Sequence, residues 1–189
     1  MKQNLAIFDM DGTLFDTKAV NYASYKAAAE MIGRSFDVDY GFYCAYCNGR
    51  KYKDFLPRIL PGVTAEEMEA IHRHKKGLYA GNLDKARINT ALFDLIRGIR
   101  ETHFVALVTT ASGQNTMDIL GRFQVTEMFD LILTQESIAH PKPDPEGFLR
   151  AMAHFGVDAA HTVIFEDSDV GLEAAEKSGA AYVRVYGYN

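Results

Sequence analysis

The sequence has only two cysteines among its 189 residues. Cys44 and Cys47 form a single Cys-x-x-Cys pair, and a zinc site would need two further ligands at a similar spacing. The six histidines supply no matching pair, because His72 and His74 are separated by one residue. The cysteines lie in an aromatic segment with a helical pattern instead of following a strand, which disfavours a thioredoxin-like role. The sequence therefore predicts two reduced thiols that pack in the protein interior.

Long apolar runs and an excess of positive charge are also missing. No apolar stretch approaches the roughly 20 residues that span a bilayer, and the chain begins directly with a strand pattern instead of a signal sequence. The 20 basic and 25 acidic residues give a net charge of -5 without a long basic run, which argues against nucleic acid as a partner. We therefore expect a cytoplasmic protein with no membrane or nucleic-acid partner, and the oligomeric state stays open.

The first informative stretch is an apolar run that stops at two carboxylates. Residues 5–8 are apolar without alternation, which is typical of a strand buried on both faces of a parallel sheet. Asp9 and Asp11 follow it, and Gly12 allows a sharp turn. Such close carboxylates repel each other unless one is protonated or a cation such as Mg2+ lies between them. Aspartate is also common in turns after strands, so the pair alone leaves both interpretations open.

The rest of the chain divides into a helical insertion and an alternating part. Residues 17 to about 86 show helical patterns only, including a capping box from Thr64 to Glu67. Strand patterns then follow at residues 104–108, 131–134, 162–165 and 182–185, separated by helical patterns. This alternation predicts an α/β fold with a doubly wound, parallel, five-stranded sheet. The expected core is 1–15 with 88–189, and the expected insertion is 16–87.

Polar residues follow three of these strands, and a lysine between two prolines lies in a fourth loop. The carboxyl ends of parallel strands meet at one edge of a sheet, so these side chains are expected to converge. Each alone could be a helix cap, a surface lysine or an ordinary strand-end threonine, but their joint placement favours a site for a divalent cation and an anion. The residues are Asp9, Asp11, Thr109, Thr110, Lys142, Glu166 and Asp167.

The same segments resemble four motifs of the haloacid dehalogenase (HAD) superfamily. Asp9-Met10-Asp11-Gly12-Thr13 is similar to the first motif, Thr109 to the second, Lys142 in Pro-Lys-Pro to the third, and Glu166-Asp167-Ser168 to the fourth. The helical insertion resembles the family's α-helical cap, as in the group that includes β-phosphoglucomutase and phosphoglycolate phosphatase. The resemblance implies a Rossmann-like core with the five strands in the order 5-4-1-2-3.

The resemblance also implies a chemistry. Asp9 would be the nucleophile that forms an aspartyl-phosphate, and Asp11 would be the general acid and base. Mg2+ would be held by Asp9, the Asp11 backbone carbonyl and Asp167, with Glu166 behind these ligands.

Phosphoryl oxygens would be bound by Lys142 and by a threonine after the second strand. Thr109 is preferred because it follows the apolar run directly, but the choice between Thr109 and Thr110 stays open.

Two further features concern the substrate. Asn48-Gly49-Arg50 resembles a loop that faces the substrate in related caps, which makes Arg50 a candidate substrate ligand; the alternative is a surface arginine at a helix start.

Most of the seven tyrosines in the insertion are expected to form its own core, and stacking on a sugar or base is the alternative for some.

The sequence thus predicts a Mg2+-dependent phosphatase for a small phosphorylated metabolite, with a β-phosphoglucomutase-like phosphomutase as the rival. In that mutase a histidine of the first cap helix helps to hold back the counterpart of Asp11, and the matching residue here is Asn21, which cannot become a cation. Dehalogenases and phosphonate hydrolases lack an acid/base aspartate at the position of Asp11. A catalytically silent binding module would be free to lose Asp9 or Lys142, and both are present.

Overall fold

The computed structural model describes residues 2–187, which form two compact units. The first unit contains the described residues up to Asp16 and those from Arg87 onward, and the second contains Thr17–Ala86. The expected boundaries lie one residue from these positions. That the second unit acts as a cap stays a prediction.

Within residues 2–187, the secondary structure consists of seven strands, eight α-helices and four short 3-10 helices. The strands are β1 (Asn4–Phe8), β2 (Phe15–Asp16), β3 (Arg87–Ile88), β4 (His103–Val108), β5 (Leu131–Leu133), β6 (Thr162–Glu166) and β7 (Ala181–Arg184). The α-helices are α1 (Lys18–Met31), α2 (Tyr40–Tyr46), α3 (Tyr52–Ile59), α4 (Ala65–Tyr79), α5 (Thr90–Ile99), α6 (Gly113–Phe123), α7 (Glu146–Phe155) and α8 (Asp169–Ser178). The 3-10 helices are Ala80–Lys85, Thr126–Met128, Gln135–Ser137 and Ala159–His161. No helix in the described part of the chain has the length and apolar character that crossing a membrane requires.

Five strands of the first unit form one parallel sheet in the order β5-β4-β1-β6-β7. The central strand is β1, in which Phe8 pairs with Leu107 on one side and Phe165 on the other. Residues 5–8 have no solvent exposure, because helices cover both faces of such a sheet. The predicted fold class and strand order, 5-4-1-2-3 with the five strands numbered along the chain, are therefore confirmed.

The sequence patterns did not predict a second, two-stranded sheet, which lies at the border of the insertion. Strands β2 and β3 pair antiparallel, with Phe15 opposite Ile88 and Asp16 opposite Arg87. Two-residue strands are too short to show a hydrophobic period, and the pairing joins positions distant in sequence.

Serine side chains cap the starts of two helices in the first unit. Ser112 and Ser168 cap α6 and α8 through their side chains, accepting hydrogen bonds from the N–H groups of Asn115 and Gly171. Thr17 occupies the N-cap position of α1, but its side chain accepts no capping hydrogen bond from the helix backbone.

The second unit packs helices α1–α4 around its own aromatic core. Tyr25 and Tyr43 are buried there with Phe55, and the ring centroids of Tyr25 and Phe55 are 5.1 Å apart. Five of the seven tyrosines are buried or packed against buried groups, whereas Tyr40 and Tyr46 are exposed.

The capping box that the sequence predicts for this unit is confirmed. The capping box of α4 is present, since Thr64 Oγ1 accepts from the Glu67 N–H at 3.1 Å and Glu67 Oε2 accepts from the Thr64 N–H at 2.8 Å. Both cysteines are free; Cys47 is buried, and the half-buried Cys44 packs against the same cluster.

Candidate active site

Asp9 is the first residue after the central strand, and its backbone belongs to the sheet. Its N–H donates to the carbonyl of Phe165 on β6 at 3.0 Å. Its side chain is 9% exposed. The chain then turns at Gly12, whose φ of +97° lies in the left-handed region that favours glycine. Because Asp9 directly follows the apolar run of β1, its buried carboxylate lies at the carboxyl edge of the sheet.

Lys142 connects this carboxylate to the end of β6. Its Nζ donates to Asp9 Oδ1 at 2.6 Å, to Glu166 Oε2 at 3.0 Å and to the Val108 carbonyl at 3.2 Å. The Lys142 side chain is only 10% exposed and that of Glu166 is 1% exposed. Three predicted site residues from distant parts of the sequence therefore meet in one buried network.

Asp167 completes a cluster of three carboxylates. Asp9, Glu166 and Asp167 each offer one oxygen, and these oxygens lie within 4.8 Å of one another. Thr13 Oγ1 donates to Asp167 Oδ1 at 3.3 Å. A Cβ atom at Gly12 would lie 2.0 Å from Asp167 Oδ2, so only glycine allows the loop after β1 to approach Asp167 this closely.

Glu166 uses both carboxylate oxygens within the protein. Oε2 accepts from Lys142, and Oε1 accepts from the Ser168 hydroxyl and, at 3.3 Å, from the Ser168 N–H. A Cβ atom at Gly171 would lie 1.9 Å from Oε1, so the absence of a side chain there makes room for the carboxylate. This arrangement suits a residue that positions its neighbours.

The electrostatics of the cluster follow from burial and from mutual repulsion. Burial and the Glu166 carboxylate raise the pKa of Asp9 well above its usual value, although Lys142 opposes the shift. The same two causes raise the pKa of Asp167 to about 6. Burial alone would lower the pKa of Lys142, but the carboxylates of Asp9 and Glu166 raise it above its usual value.

The residues present fit a hard divalent cation. Three ionised carboxylates and one ammonium carry a formal charge of -2, which a dication would neutralise. Carboxylate oxygens are the donors that Mg2+ prefers. The raised pKa values of Asp9 and Asp167 have the same origin, because ionising both in a buried site is unfavourable without a compensating cation.

Thr109 and Thr110 follow β4 but differ in exposure. Thr109 is 1% exposed, its N–H donates to the Leu133 carbonyl at 3.0 Å, and its Oγ1 accepts from the Ala111 N–H at 3.0 Å. Thr110 is exposed and lines a small cavity together with Val108 and Lys142. Both threonines therefore stay candidates for a phosphate contact.

Two predicted residues lie outside the carboxylate cluster. Asp11 is half-buried in the loop after β1, and the cluster of three does not include its carboxylate. Arg50 belongs to the second unit, where it is exposed and follows Gly49 with a φ of +77°. Its role toward substrate stays a prediction.

Sequence reasoning missed the polar residues that support the cluster. Thr13 and Ser168 belong to the first and fourth motifs, and a hydroxyl close to a functional carboxylate in such a motif is a usable signal. The Val108 carbonyl gave no signal, because a backbone acceptor has no identity in the sequence.

Comparison with known proteins assigns the family. Residues 6–185 match the family model of the haloacid dehalogenase-like hydrolases, so the chain belongs to this family. It is 29% identical over 189 residues to a phosphorylated carbohydrates phosphatase of Thermotoga maritima, covering 96% of this chain and 83% of that protein. It is 27% identical over 188 residues to the β-phosphoglucomutase of Bacillus subtilis, covering 95% of this chain and 81% of that enzyme.

A solved structure supports the same fold. CbbY of Rhodobacter sphaeroides, in complex with phosphate, matches with a TM-score of 0.84 and 24% identity, covering 100% of this chain and 88% of that one. The predicted family and fold are confirmed by the family match and by this structure. The family model also confirms the hydrolase class, and the relative named as a phosphatase agrees with the predicted type of hydrolase.

Proposed function

We propose that this protein is a Mg2+-dependent phosphatase that hydrolyses a small phosphorylated metabolite through an aspartyl-phosphate. The observation that carries the proposal is the Lys142 ammonium, which bridges Asp9 and Glu166 beside Asp167 at the carboxyl edge of the sheet. This arrangement combines a buried nucleophile, a fixed positive charge and a cation site.

Asp9 acts as the nucleophile. Its carboxylate oxygen forms a bond to phosphorus while the bond from phosphorus to the substrate's ester oxygen breaks. Asp11 gives its proton to the departing oxygen, so the first product leaves as an alcohol. Asp11 then takes a proton from water, which attacks the aspartyl-phosphate and releases inorganic phosphate and free Asp9.

Lys142 performs two tasks in this reaction. Its short hydrogen bond orients the Asp9 carboxylate, and its fixed charge stabilises the negative charge that develops on the phosphoryl oxygens. The threonine hydroxyl at the end of β4 donates to another phosphoryl oxygen, with Thr109 as the first candidate and Thr110 as the second.

Mg2+ would be held by Asp9, Asp167 and the Asp11 backbone carbonyl. Glu166 would orient the neighbouring Lys142 through their hydrogen bond. When bound, it offsets the charge of the phosphate and that of the carboxylates, which lets the nucleophile and an anionic substrate approach each other.

The substrate class is proposed from a relative. The Thermotoga maritima protein is named for phosphorylated carbohydrates, and this chain shares 29% of its residues over the aligned region. Sugar phosphates are therefore the first substrates to test. Arg50 is proposed as a substrate ligand on the helical unit.

The second candidate function is a phosphomutase, which the likeness to the Bacillus subtilis enzyme supports. Asn21 argues against it. In the helical unit its Nδ2 donates to Thr17 Oγ1 at 3.3 Å, and a neutral amide cannot become the cation that a histidine supplies.

The test is phosphate release from a panel of sugar phosphates and other phosphomonoesters, with Mg2+ and with EDTA. We expect Mg2+-dependent release without any bisphosphate activator. Phosphorus NMR of a hexose 1-phosphate reaction distinguishes the rival: conversion to the 6-phosphate faster than phosphate release would replace the phosphatase with the mutase.

A further inference from the structure

Asn89 is a half-buried residue just after β3, and both ends of its carboxamide are engaged. Its Oδ1 accepts from the Leu92 N–H at 3.3 Å, which caps α5. Its Nδ2 donates to the Thr13 carbonyl at 3.1 Å. One partner can only donate and the other can only accept, so the orientation of the amide is fixed by its partners.

The backbone of Asn89 strengthens this attachment. Its N–H donates to the Leu14 carbonyl at 2.9 Å, which extends the pairing of β2 with β3. Asn89 thus holds two consecutive carbonyls, those of Thr13 and Leu14, in the turn that follows Asp11.

Thr13 connects this fixed main chain to the carboxylate cluster. Its side chain is fully buried, and its Oγ1 donates to Asp167 Oδ1 at 3.3 Å. The position of that hydroxyl depends on the position of the Thr13 main chain, which Asn89 fixes.

We propose that Asn89 is a positioning residue for the cation site: it holds the Thr13 main chain so that the Thr13 hydroxyl orients the Asp167 carboxylate. The inference depends on the proposed function, because it takes Asp167 as a Mg2+ ligand. Residues that orient metal ligands through hydrogen bonds are worth about 10- to 100-fold in metal affinity.

Two substitutions separate positioning from helix capping. Asn89→Ser keeps a good N-cap acceptor for α5 but is too short to donate to the Thr13 carbonyl. Asn89→Asp also keeps the cap and loses the donor, and its added negative charge would by itself favour Mg2+. Weaker binding in both variants therefore reports the lost donor. The matched control is Asn82→Ser, which removes an amide donor to the Leu78 carbonyl and the Ser24 hydroxyl in the helical unit.

The measurement is calorimetric binding of Mg2+ to the metal-free full-length protein, with thermal unfolding of the metal-free protein alongside. We expect Asn89→Ser to weaken Mg2+ binding about 3- to 10-fold, the share of one ordinary hydrogen bond, without a large change in the unfolding midpoint. Asn82→Ser leaves Mg2+ binding unchanged. Turnover of Asn89→Ser returns to the wild-type value at saturating Mg2+.

A double variant tests whether Asn89 acts through Thr13. Thr13→Val alone should weaken Mg2+ binding about 10-fold, and adding Asn89→Ser should weaken it no further, because the hydroxyl that Asn89 positions is already gone.

Two results would overturn the inference while leaving the phosphatase intact. One is wild-type Mg2+ affinity in both Asn89 variants of an active, Mg2+-binding protein. The other is a double variant whose loss equals the product of the two single losses. Failure of the wild-type protein to bind Mg2+ would overturn the inference together with the proposed function.

Discussion

The Nζ atom of Lys142 lies 2.6 Å from Oδ1 of Asp9, a residue 133 positions earlier in the sequence. Both side chains are almost completely buried. A buried ammonium and a buried carboxylate each need a partner, since either one alone would carry a large desolvation cost. The same ion pair therefore contributes to the stability of the folded protein and to the candidate active site at the carboxyl edge of the sheet.

Replacing Lys142 with methionine should destabilise the protein and abolish activity. The substitution leaves Asp9 and Glu166 without their shared cation, and breaking a buried ion pair costs about 3–5 kcal/mol. The measurement is urea unfolding of the metal-free protein. Lys177→Met is the matched control, because Lys177 pairs with Glu173 on the surface and such pairs are worth about 1 kcal/mol or less. Equal losses in the two variants would contradict the buried pairing.

Asp9→Asn should remove turnover while the protein stays folded. The change deletes the nucleophile but keeps its shape, so we expect a loss of about 10,000-fold or more, the scale on which nucleophiles contribute. Phosphate release and circular dichroism are the measurements. Asp94→Asn, on the exposed face of α5, controls for the loss of one charge. Substantial turnover by Asp9→Asn would mean that water attacks the phosphate directly.

The stability of the metal-free protein should depend on the protonation of Asp167. Burial and Glu166 raise its folded-state pKa to about 6, whereas an unfolded aspartate has a pKa of about 4. The folded protein therefore holds this proton more tightly. The resulting stabilisation is complete below about pH 4 and is lost as the pH rises through about 6.

This dependence can be measured with Asp167→Asn. In EDTA, the unfolding free energy of the variant relative to wild type should increase between about pH 4 and about pH 7, because the wild type must ionise the Asp167 carboxyl and the variant has no ionisable group at this position. Adding Mg2+ at the higher pH should stabilise the wild type and not the variant. A difference that does not change with pH would show that Asp167 titrates normally.

Gly171→Ala should disturb the carboxylate cluster by displacing Glu166. The new Cβ would meet Glu166 Oε1 at 1.9 Å, so the carboxylate that supports Lys142 has to move. Overpacking of this kind costs about 1–3 kcal/mol, and phosphate release should fall as well. Both urea unfolding and activity report the effect.

Gly98→Ala is the matched control for this change. Gly98 lies within α5, and a Cβ there has no neighbour within 4 Å. Alanine should therefore stabilise the helix by up to about 1 kcal/mol. A Gly171→Ala variant that behaved in the same way would refute the close packing against Glu166.

The sequence by itself determined the fold and most of the candidate site. The uninterrupted apolar run before Asp9 predicts a central strand, and the alternation that follows predicts a parallel sheet. Parallel strands all end at one edge, so Asp9, Lys142, Glu166 and Asp167 were expected to converge, as they do. These conclusions need only local patterns and one rule of topology.

Only the tertiary structure decided which atoms meet within that site. Nothing local to Asn89 indicates that its amide reaches the Thr13 carbonyl, 76 residues earlier. The same is true of Thr13 and Asp167, which are 154 residues apart, and of the short β2–β3 pairing. Such contacts leave no periodic pattern in the sequence, because they depend on how distant main-chain segments pack and on which rotamer each side chain then adopts.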